Sequence, residues 1–401
     1  MRRSLFIILL LISGPGVNAQ QSDSLNNQYQ NSAGKLLKTE GRLIIGGYGE
    51  VHYHQPLSAE TRNNGSMDVH RMVMLLGYNF SSRTQFITEI EYEHVSEVYI
   101  EQAFLQHKLN NFVNLMGGLL IVPMGILNEY HEPTTFNGVE RPAIDNKISP
   151  TTWREVGIGL SGNIFPASLK YQVYLLNGFN GYNGKGTLNG KNGLRNGRQK
   201  GAESYISSPN FTAKIEYYGF RGLNLGLSGY LGKTQSTLYN GIAKSNEAAL
   251  AKADSSVTGI AMVGLDGRYN ISGFQLRGQF YYSSISNTGE YNRFTAVSGK
   301  QNDLGSAMIG YYAEAGYNVL KHCENTKTEL IPFIRLEKYN THHATAGNLA
   351  KNKEYNNNIV TTGITCKLIK GAVVKADMQF TKSEAATQFS KVFSAGVGVM
   401  F

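Results

Sequence analysis

The chain has 401 residues, of which 41% are apolar, 11% aromatic and only 17% charged, with 45 Gly, 9 Pro and 2 Cys. That composition excludes a collagen, a coiled coil and a disulfide-rich scaffold. The formal net charge is +9, and the length fits either several domains or one motif repeated throughout; the periodicity of the apolar residues favours the second.

Residues 1–19 read as a secretion signal. Met1-Arg2-Arg3 is a basic start, Leu5 to Ile12 an unbroken apolar run, and Val17-Asn18-Ala19 a small-residue cleavage site before Gln20. No Cys follows that site, which argues against a lipid anchor. Losing Arg2 and Arg3 from 38 bases leaves 36 against 29 acids, a net charge of +7. Residues 20–41 are rich in Gln, Asn and Ser and are expected to form a polar periplasmic leader, either disordered or loosely attached, or else a short helix that enters the main domain or contacts the cell wall.

From residue 42 to 401 no run approaches the 18 apolar residues of a spanning helix. Hydrophobicity instead alternates by twos. Phe86, Thr88, Ile90 and Tyr92 oppose Gln85, Glu89, Glu91 and Glu93; Phe274, Leu276, Phe280 and Tyr282 oppose Gln275, Arg277 and Gln279. Val374, Ala376, Met378 and Phe380 likewise oppose Lys375, Asp377 and Gln379. These are strands with one oily and one wet face. Cutting the chain in this way predicts strands at 42–54, 67–79, 83–95, 98–109, 112–121, 153–163, 167–180, 205–218, 222–232, 257–269, 272–285, 304–318, 327–339, 357–369, 371–382 and 388–401. Tight connections (Ser81-Ser82, Asn110-Asn111, Asn270-Ile271, Lys370-Gly371) alternate with a class that is mostly long (55–66, 122–152, 181–204, 233–256, 286–303, 340–356). The fold class predicted is all-β: a transmembrane antiparallel β-barrel of about 16 strands, whose turns face the periplasm and whose long loops face outward.

The last strand places Phe393, Ala395, Val397, Val399 and Phe401 on one face. A terminal aromatic of this kind resembles the signal by which outer-membrane proteins reach the barrel-assembly machinery. Tyr doublets at 217–218, 281–282 and 311–312 are expected to form aromatic girdles at the lipid interface.

The segments GGYGEVHYH (46–54), EIEYEHVSEVYIEQAFLQH (89–107), GGLLIVPMGILNEYHEP (117–133) and RPAIDNKISPTTWREVGIGLSG (141–162) resemble the phosphate-selective porins of the O and P type. The resemblance is dense over about 120 residues, and over the rest of the barrel it lies in the strand pattern. It implies a sixteen-stranded passive channel in a Gram-negative outer membrane, a homotrimer, and small hydrophilic, often anionic, solutes. The family's lysine cluster is not visible here. The loop 122–152 offers Arg141 and Lys147 against Glu129, Glu132, Glu140 and Asp145, with His131 between them. The preferred reading is therefore a diffusion channel with a mild anion preference; a phosphate- or polyanion-selective channel is the alternative, and a surface adhesin or receptor barrel without an open pore comes after both.

The loop after the fifth strand is expected to fold into the lumen and narrow it, stiffened by Pro133, Pro142 and Pro150. Alternation turns Glu50, Arg71, Glu89, Glu91, Glu93, Glu101, Arg268, Arg277, Arg335 and Lys375 toward the pore, nearly balanced in sign, with Arg154 beside the loop. Adjacent Glu89, Glu91 and Glu93 would repel one another, so two arrangements stand open: Arg141 or Arg154 ties the loop to them, or acidic and basic walls face each other across the pore. The basic excess falls in the loop 181–204 (Lys185, Lys191, Arg195, Arg198, Lys200), as an anion-gathering mouth or a surface for anionic sugar-lipid.

Other signals are read as structural. His52 and His54 lie two apart on one strand, and His342-His343 in an outer loop, with no third ligand at a telling spacing, so no metal site is expected. The run GKGTLNGKNG (184–193) lacks the strand and helix of a phosphate cradle and reads as a flexible loop. No nucleophile accompanies His107 and Glu101, so no enzyme is expected, nor a cofactor or nucleic-acid partner. Cys323 and Cys366 map near the same ends of neighbouring strands, which leaves open a disulfide or two free thiols.

Overall fold

The computed structural model describes Ala33, Gly34, Leu37 and residues 41–401. Sixteen of the described strands close into one antiparallel barrel. The first eight are β1 (Leu43–Leu57), β2 (Ser66–Asn79), β3 (Thr84–Glu93), β4 (Glu97–Lys108), β5 (Asn114–Ile121), β6 (Arg154–Ile164), β7 (Leu169–Leu176) and β8 (Asn210–Tyr217). The second eight are β9 (Leu223–Lys233), β10 (Gly259–Ile271), β11 (Phe274–Ile285), β12 (Ala307–Tyr317), β13 (Glu329–Ala344), β14 (Asn356–Ile369), β15 (Ala372–Ser383) and β16 (Ser390–Met400). Each pairs with its neighbours in sequence, and β16 returns to β1 with Met400 opposite Tyr48. Phe401 adds two further backbone bonds to Gly47, donating from its own amide and accepting from that of Gly47. Closure pairs both edges of every barrel strand described, the condition for backbone in lipid.

The alternation read from the sequence is the alternation of the barrel wall. Leu225, Leu227, Leu265, Leu276, Leu336 and Val397 are each about half exposed on the outside, whereas Glu89, Lys214, Glu314, Arg335 and Asp377 are buried on the inside. Such an outer surface suits hydrocarbon rather than water. All three Tyr doublets depart from the girdle expectation. Tyr218, Tyr281 and Tyr312 are buried, because adjacent residues of a strand must point to opposite faces, and only Tyr217, Tyr282 and Tyr311 are left for the outer side.

The tight hairpins follow turn chemistry. Between β10 and β11 the corner falls at Ser272 (φ 48°) and Gly273 (φ 89°), two residues beyond the expected Asn270-Ile271; paired positive φ values suit the right-handed twist of the flanking strands. The larger departure lies between β7 and β8. β7 stops at Leu176 and β8 starts at Asn210, so residues 177–209 form a connection as long as the one after β5. The chain leaves the wall at Gly178 (φ 76°), and a side chain there would meet the Asn210 amide at 2.3 Å and the Tyr230 hydroxyl at 2.7 Å. Gly178→Ala is expected to cost about 1–3 kcal/mol, read as a lower urea midpoint of barrel unfolding; an unchanged midpoint would show that this corner tolerates a Cβ.

Three further findings concern single sites. His342 lies not in an outer loop but near the end of β13, buried, with Nε2 donating to the Asp303 carbonyl at 2.5 Å and Nδ1 accepting from the Asn352 amide at 3.0 Å. The run 184–193 is not loose: Gly190 and Leu188 are bonded to Thr341 of β13 and to Asp303, Asn302 and Tyr291 of the connection between β11 and β12. Cys323 and Cys366 are both free thiols. The secretion signal and most of the polar leader lie outside the described residues; of the leader, Leu37 accepts from the Gln85 side chain at 3.2 Å, inside the turn end of the barrel.

Candidate functional site

The site is the lumen, and its principal occupant is the connection 122–153. The strand pair β5–β6 ends where the Val122 amide bonds the Trp153 carbonyl, and Asn128 ties the neck by donating to both of those carbonyls. From there the segment crosses the interior, with Met124, Ile126, Leu127, Ile144 and Ile148 almost wholly buried. A buried loop must satisfy its backbone polar groups without water, and the inward side chains of the wall do this. Lys214 of β8 donates to the Gly125 carbonyl, Gln279 of β11 accepts from the Ile126 amide, and Arg71 of β2 donates to the His131 carbonyl, each at 2.6 Å. Farther along, Arg335 of β13 donates to the carbonyls of Asn137 and Glu140, Asp377 of β15 accepts from the Val139 amide, and Glu337 of β13 accepts from that of Ile144.

The loop's own charged residues answer the wall in the same way. Glu129 accepts from Lys214 at 2.7 Å and lies 3.5 Å from Lys170; Asp145 accepts from Gln279 and Tyr281. His131 meets the Tyr48 hydroxyl at 3.0 Å and lies 3.4 Å from Glu101 and 3.9 Å from Glu89. Burial alone would pull this imidazole down, but the Glu101 and Glu89 carboxylates reverse that and raise it to about 9. Glu132 is buried beside it. Around the wall, Glu314 lies between Arg277 (3.1 Å) and Arg335 (2.8 Å), and Glu216 joins Lys170 (2.8 Å) to Arg268 (3.1 Å). Arg268 also covers the Tyr130 ring, and Lys375 the Phe136 ring, at 4.0 and 3.7 Å from the centroids.

The acids of β3 are not tied to the loop by Arg141 or Arg154. Arg141 does not reach them: it lies 3.9 Å from Glu50 of β1. Arg154 donates to Thr152 instead. Glu89 is bonded by Gln102, Glu91 lies 3.9 Å from Arg71, and Glu93 lines a water-accessible gap. The reason is a bulge in β4, where Glu101 is the extra residue between the pairs Glu89–Gln102 and Ile90–Ile100, so that Glu101 and Gln102 both point inward. A second bulge, between β1 and β2, adds His70 to the inner face beside Arg71. Strict alternation puts Gln102 and His70 outside, and no residue type in the sequence marks either bulge.

Two spaces flank the loop. On the turn side a cavity of about 1050 Å³ is lined by Tyr130, Thr135, Arg268, Arg277, Lys327 and Lys367. On the loop side a gap of about 150 Å³ has two unlike walls. One carries Glu50, His52, His70, Glu91, Glu93 and Glu140; the other carries Arg141, Arg154, Arg195, Arg198 and Lys200. Of the basic residues of 177–209, Arg195, Arg198 and Lys200 are thus turned inward, whereas Lys185 and Lys191 are exposed. Arg195 and Arg198 both donate to the Thr151 carbonyl, at 3.0 and 2.6 Å. Among the described residues no carboxylate lies within ion-pair distance of Arg154, Arg195, Arg198 or Lys200. Burial and the Arg195 and Arg154 guanidiniums pull Arg198 down to about 9, which leaves it cationic at neutral pH. Burial, then Arg195 and Lys191, lower Lys147 on the same side.

A closed barrel with an apolar exterior, a charged lumen and a loop of its own folded within it defines the class of transmembrane β-barrels with an occluding inner segment. Solved structures of the same architecture include the anion-selective porin from Comamonas acidovorans (TM-score 0.56, 13% identity, 90% of this chain and 100% of that one). OmpF of Salmonella typhi in complex with daunomycin has a TM-score of 0.56 at 10% identity, over 90% of this chain and 97% of that one. The trimer form of OmpT from Vibrio cholerae has a TM-score of 0.52 at 10% identity, over 90% and 100%. At these identities the likeness establishes the fold. An uncharacterised protein of Aquifex aeolicus (strain VF5) is 29% identical over 358 residues, 86% of this chain and 77% of that protein. No protein-family model matches the chain.

Proposed function

We propose that the protein is a porin of a Gram-negative outer membrane, through which small hydrophilic solutes diffuse passively past the loop 122–153, anions somewhat ahead of cations. The observation that carries the anion preference is the group Arg154, Arg195, Arg198 and Lys200, four cations without a carboxylate partner among the described residues, beside the loop-side gap. Of the acids lining the same gap, Glu50 and Glu91 face Arg71, and Glu140 faces His52 and His54, which leaves Glu93 alone against the four cations, so this group sets the sign of the local potential. The reading assigns the chain no catalytic step. It places the turns in the periplasm, delivers the chain to barrel assembly through the strand ending at Phe401, and expects a homotrimer, as in the trimer form of OmpT. With only residues 94–96 between β3 and β4, such a trimer would rest on barrel walls.

The same unpaired guanidiniums support a second reading, the phosphate- or polyanion-selective channel suggested by the sequence resemblance, because Arg forks fit oxyanions in two-point fashion. Titrating phosphate against the chloride current of the reconstituted channel separates the two. The diffusion reading predicts that phosphate carries current without blocking that of chloride; saturable block by phosphate that disappears in Arg198→Ala would establish the selective channel instead.

A further inference from the structure

The loop-side end of β1 and the tip of the loop 122–153 bring together two histidines and a carboxylate that the channel reading does not use. His52 Nδ1 lies 3.3 Å and His54 Nε2 3.1 Å from the same Glu140 carboxylate oxygen, and the three donor atoms all fall within 4.8 Å of one another. We propose that His52, His54 and Glu140 form a binding site for a divalent transition-metal ion of the zinc class, joining the loop to the barrel wall.

Three features favour an ion over a plain ion-pair triad. The first is spacing. With metal–nitrogen and metal–oxygen bonds of about 2.0–2.2 Å, ligand atoms on a tetrahedron stand about 3.3–3.6 Å apart, so the two histidine–carboxylate separations need adjustments of only tenths of an ångström. The second is the outer shell. A ligating His usually gives its other ring nitrogen to a fixed polar group, and both do so here: His52 Nε2 faces Glu50 at 3.2 Å, and His54 Nδ1 faces the Ser394 hydroxyl at 2.9 Å. Glu50 is itself held by Arg71 at 2.6 Å. The third is the inner nitrogen of His52, which is buried and makes no hydrogen bond although it points at Glu140. The Glu140 side chain is about half exposed and lines the loop-side gap with His52, so an ion has an entry path and a water a fourth coordination position. Two neutral imidazoles and one carboxylate suit Zn²⁺, Co²⁺ or Ni²⁺ rather than Ca²⁺ or Mg²⁺, which take oxygen.

The test uses the folded full-length protein in detergent and does not depend on conduction. Titration with Co²⁺, followed by its visible absorption, and with Zn²⁺, followed by calorimetry, is expected to show one tight site per chain. His54→Gln and Glu140→Gln, both at partly exposed positions, are each expected to weaken it at least about tenfold, and the pair His52→Gln/His54→Gln to abolish it. Heat-modifiable gel migration reports that each variant is folded. His94→Ala, in the neighbouring Asp68–His70–His94 cluster, is expected to leave the tight site unchanged. No binding by the folded wild type would overturn the proposal, as would binding that survives His52→Gln/His54→Gln and is lost in His94→Ala.

Discussion

Replacing both Arg195 and Arg198 with Ala is expected to remove most of the channel's preference for anions while leaving the barrel folded. Neither side chain is part of an ion pair among the described residues; both donate to loop carbonyls, and their positive charge faces the loop-side gap. A unit charge about 7 Å from a permeating anion contributes about 0.6 kcal/mol in a water-like dielectric, roughly a threefold effect on local anion concentration. Two such charges give between threefold and tenfold at low salt, less as the Debye length contracts. The reversal potential across a KCl gradient reads this directly: the variant should move from the chloride side toward zero. A variant with the wild-type reversal potential would mean that these residues lie off the ion path.

Arg335→Ala is expected to have the largest structural effect on the pore. Arg335 is almost fully buried, pairs with Glu314 at 2.8 Å, and donates to two carbonyls of the inner loop, those of Asn137 and Glu140. Removing one member of a buried ion pair costs about 3–5 kcal/mol; the lower figure suits this site, since Glu314 keeps Arg277 at 3.1 Å and the Asn137 amide at 3.0 Å. The loss falls on residues 137–140, which form the loop tip, so the variant should show larger and noisier single-channel currents. Glu314→Gln combined with Arg335→Ala should regain neither stability, because Arg277 then loses its carboxylate partner, nor quietness, because the carbonyls remain without their donor. Arg293→Ala provides the comparison: its pairing with Glu290 lies in the open, and such pairs contribute little. Currents from Arg335→Ala indistinguishable from wild type would show that the tip is not held from β13.

What was legible in the sequence, and what was not, divides along physical lines. A barrel strand must alternate, since lipid lies on one side and charge on the other. Glu89, Glu91, Lys375 and Asp377 could therefore be assigned to the lumen from their spacing alone, and they lie there. Bulges break that rule without a sequence mark, which is why His70 and Gln102 joined the inner face unannounced. Loop conformation was less legible still. Three Pro and the length of 122–152 suggested an inward loop, but its partners are set by the closed barrel: Arg141 pairs with Glu50 and not with the β3 acids, and the fixing bonds come from His131, Arg71 and Arg335. The inward turn of Arg195 and Arg198 depends on Gly178 and on contacts with Thr151, distant in sequence. Glu140 completes a cluster with His52 and His54 across some 86 residues, a separation at which spacing carries no information.

Single-channel recording of the wild-type protein in planar lipid bilayers asks whether water and ions pass the loop 122–153 at all, the condition on which a porin depends. The expected result is stepwise, ohmic current with a reversal potential displaced toward that of chloride in a KCl gradient. A folded protein that inserts and gives no steps would show that the inner loop closes the barrel, and a reversal potential on the potassium side would show that the acidic wall, rather than Arg154, Arg195, Arg198 and Lys200, governs the path.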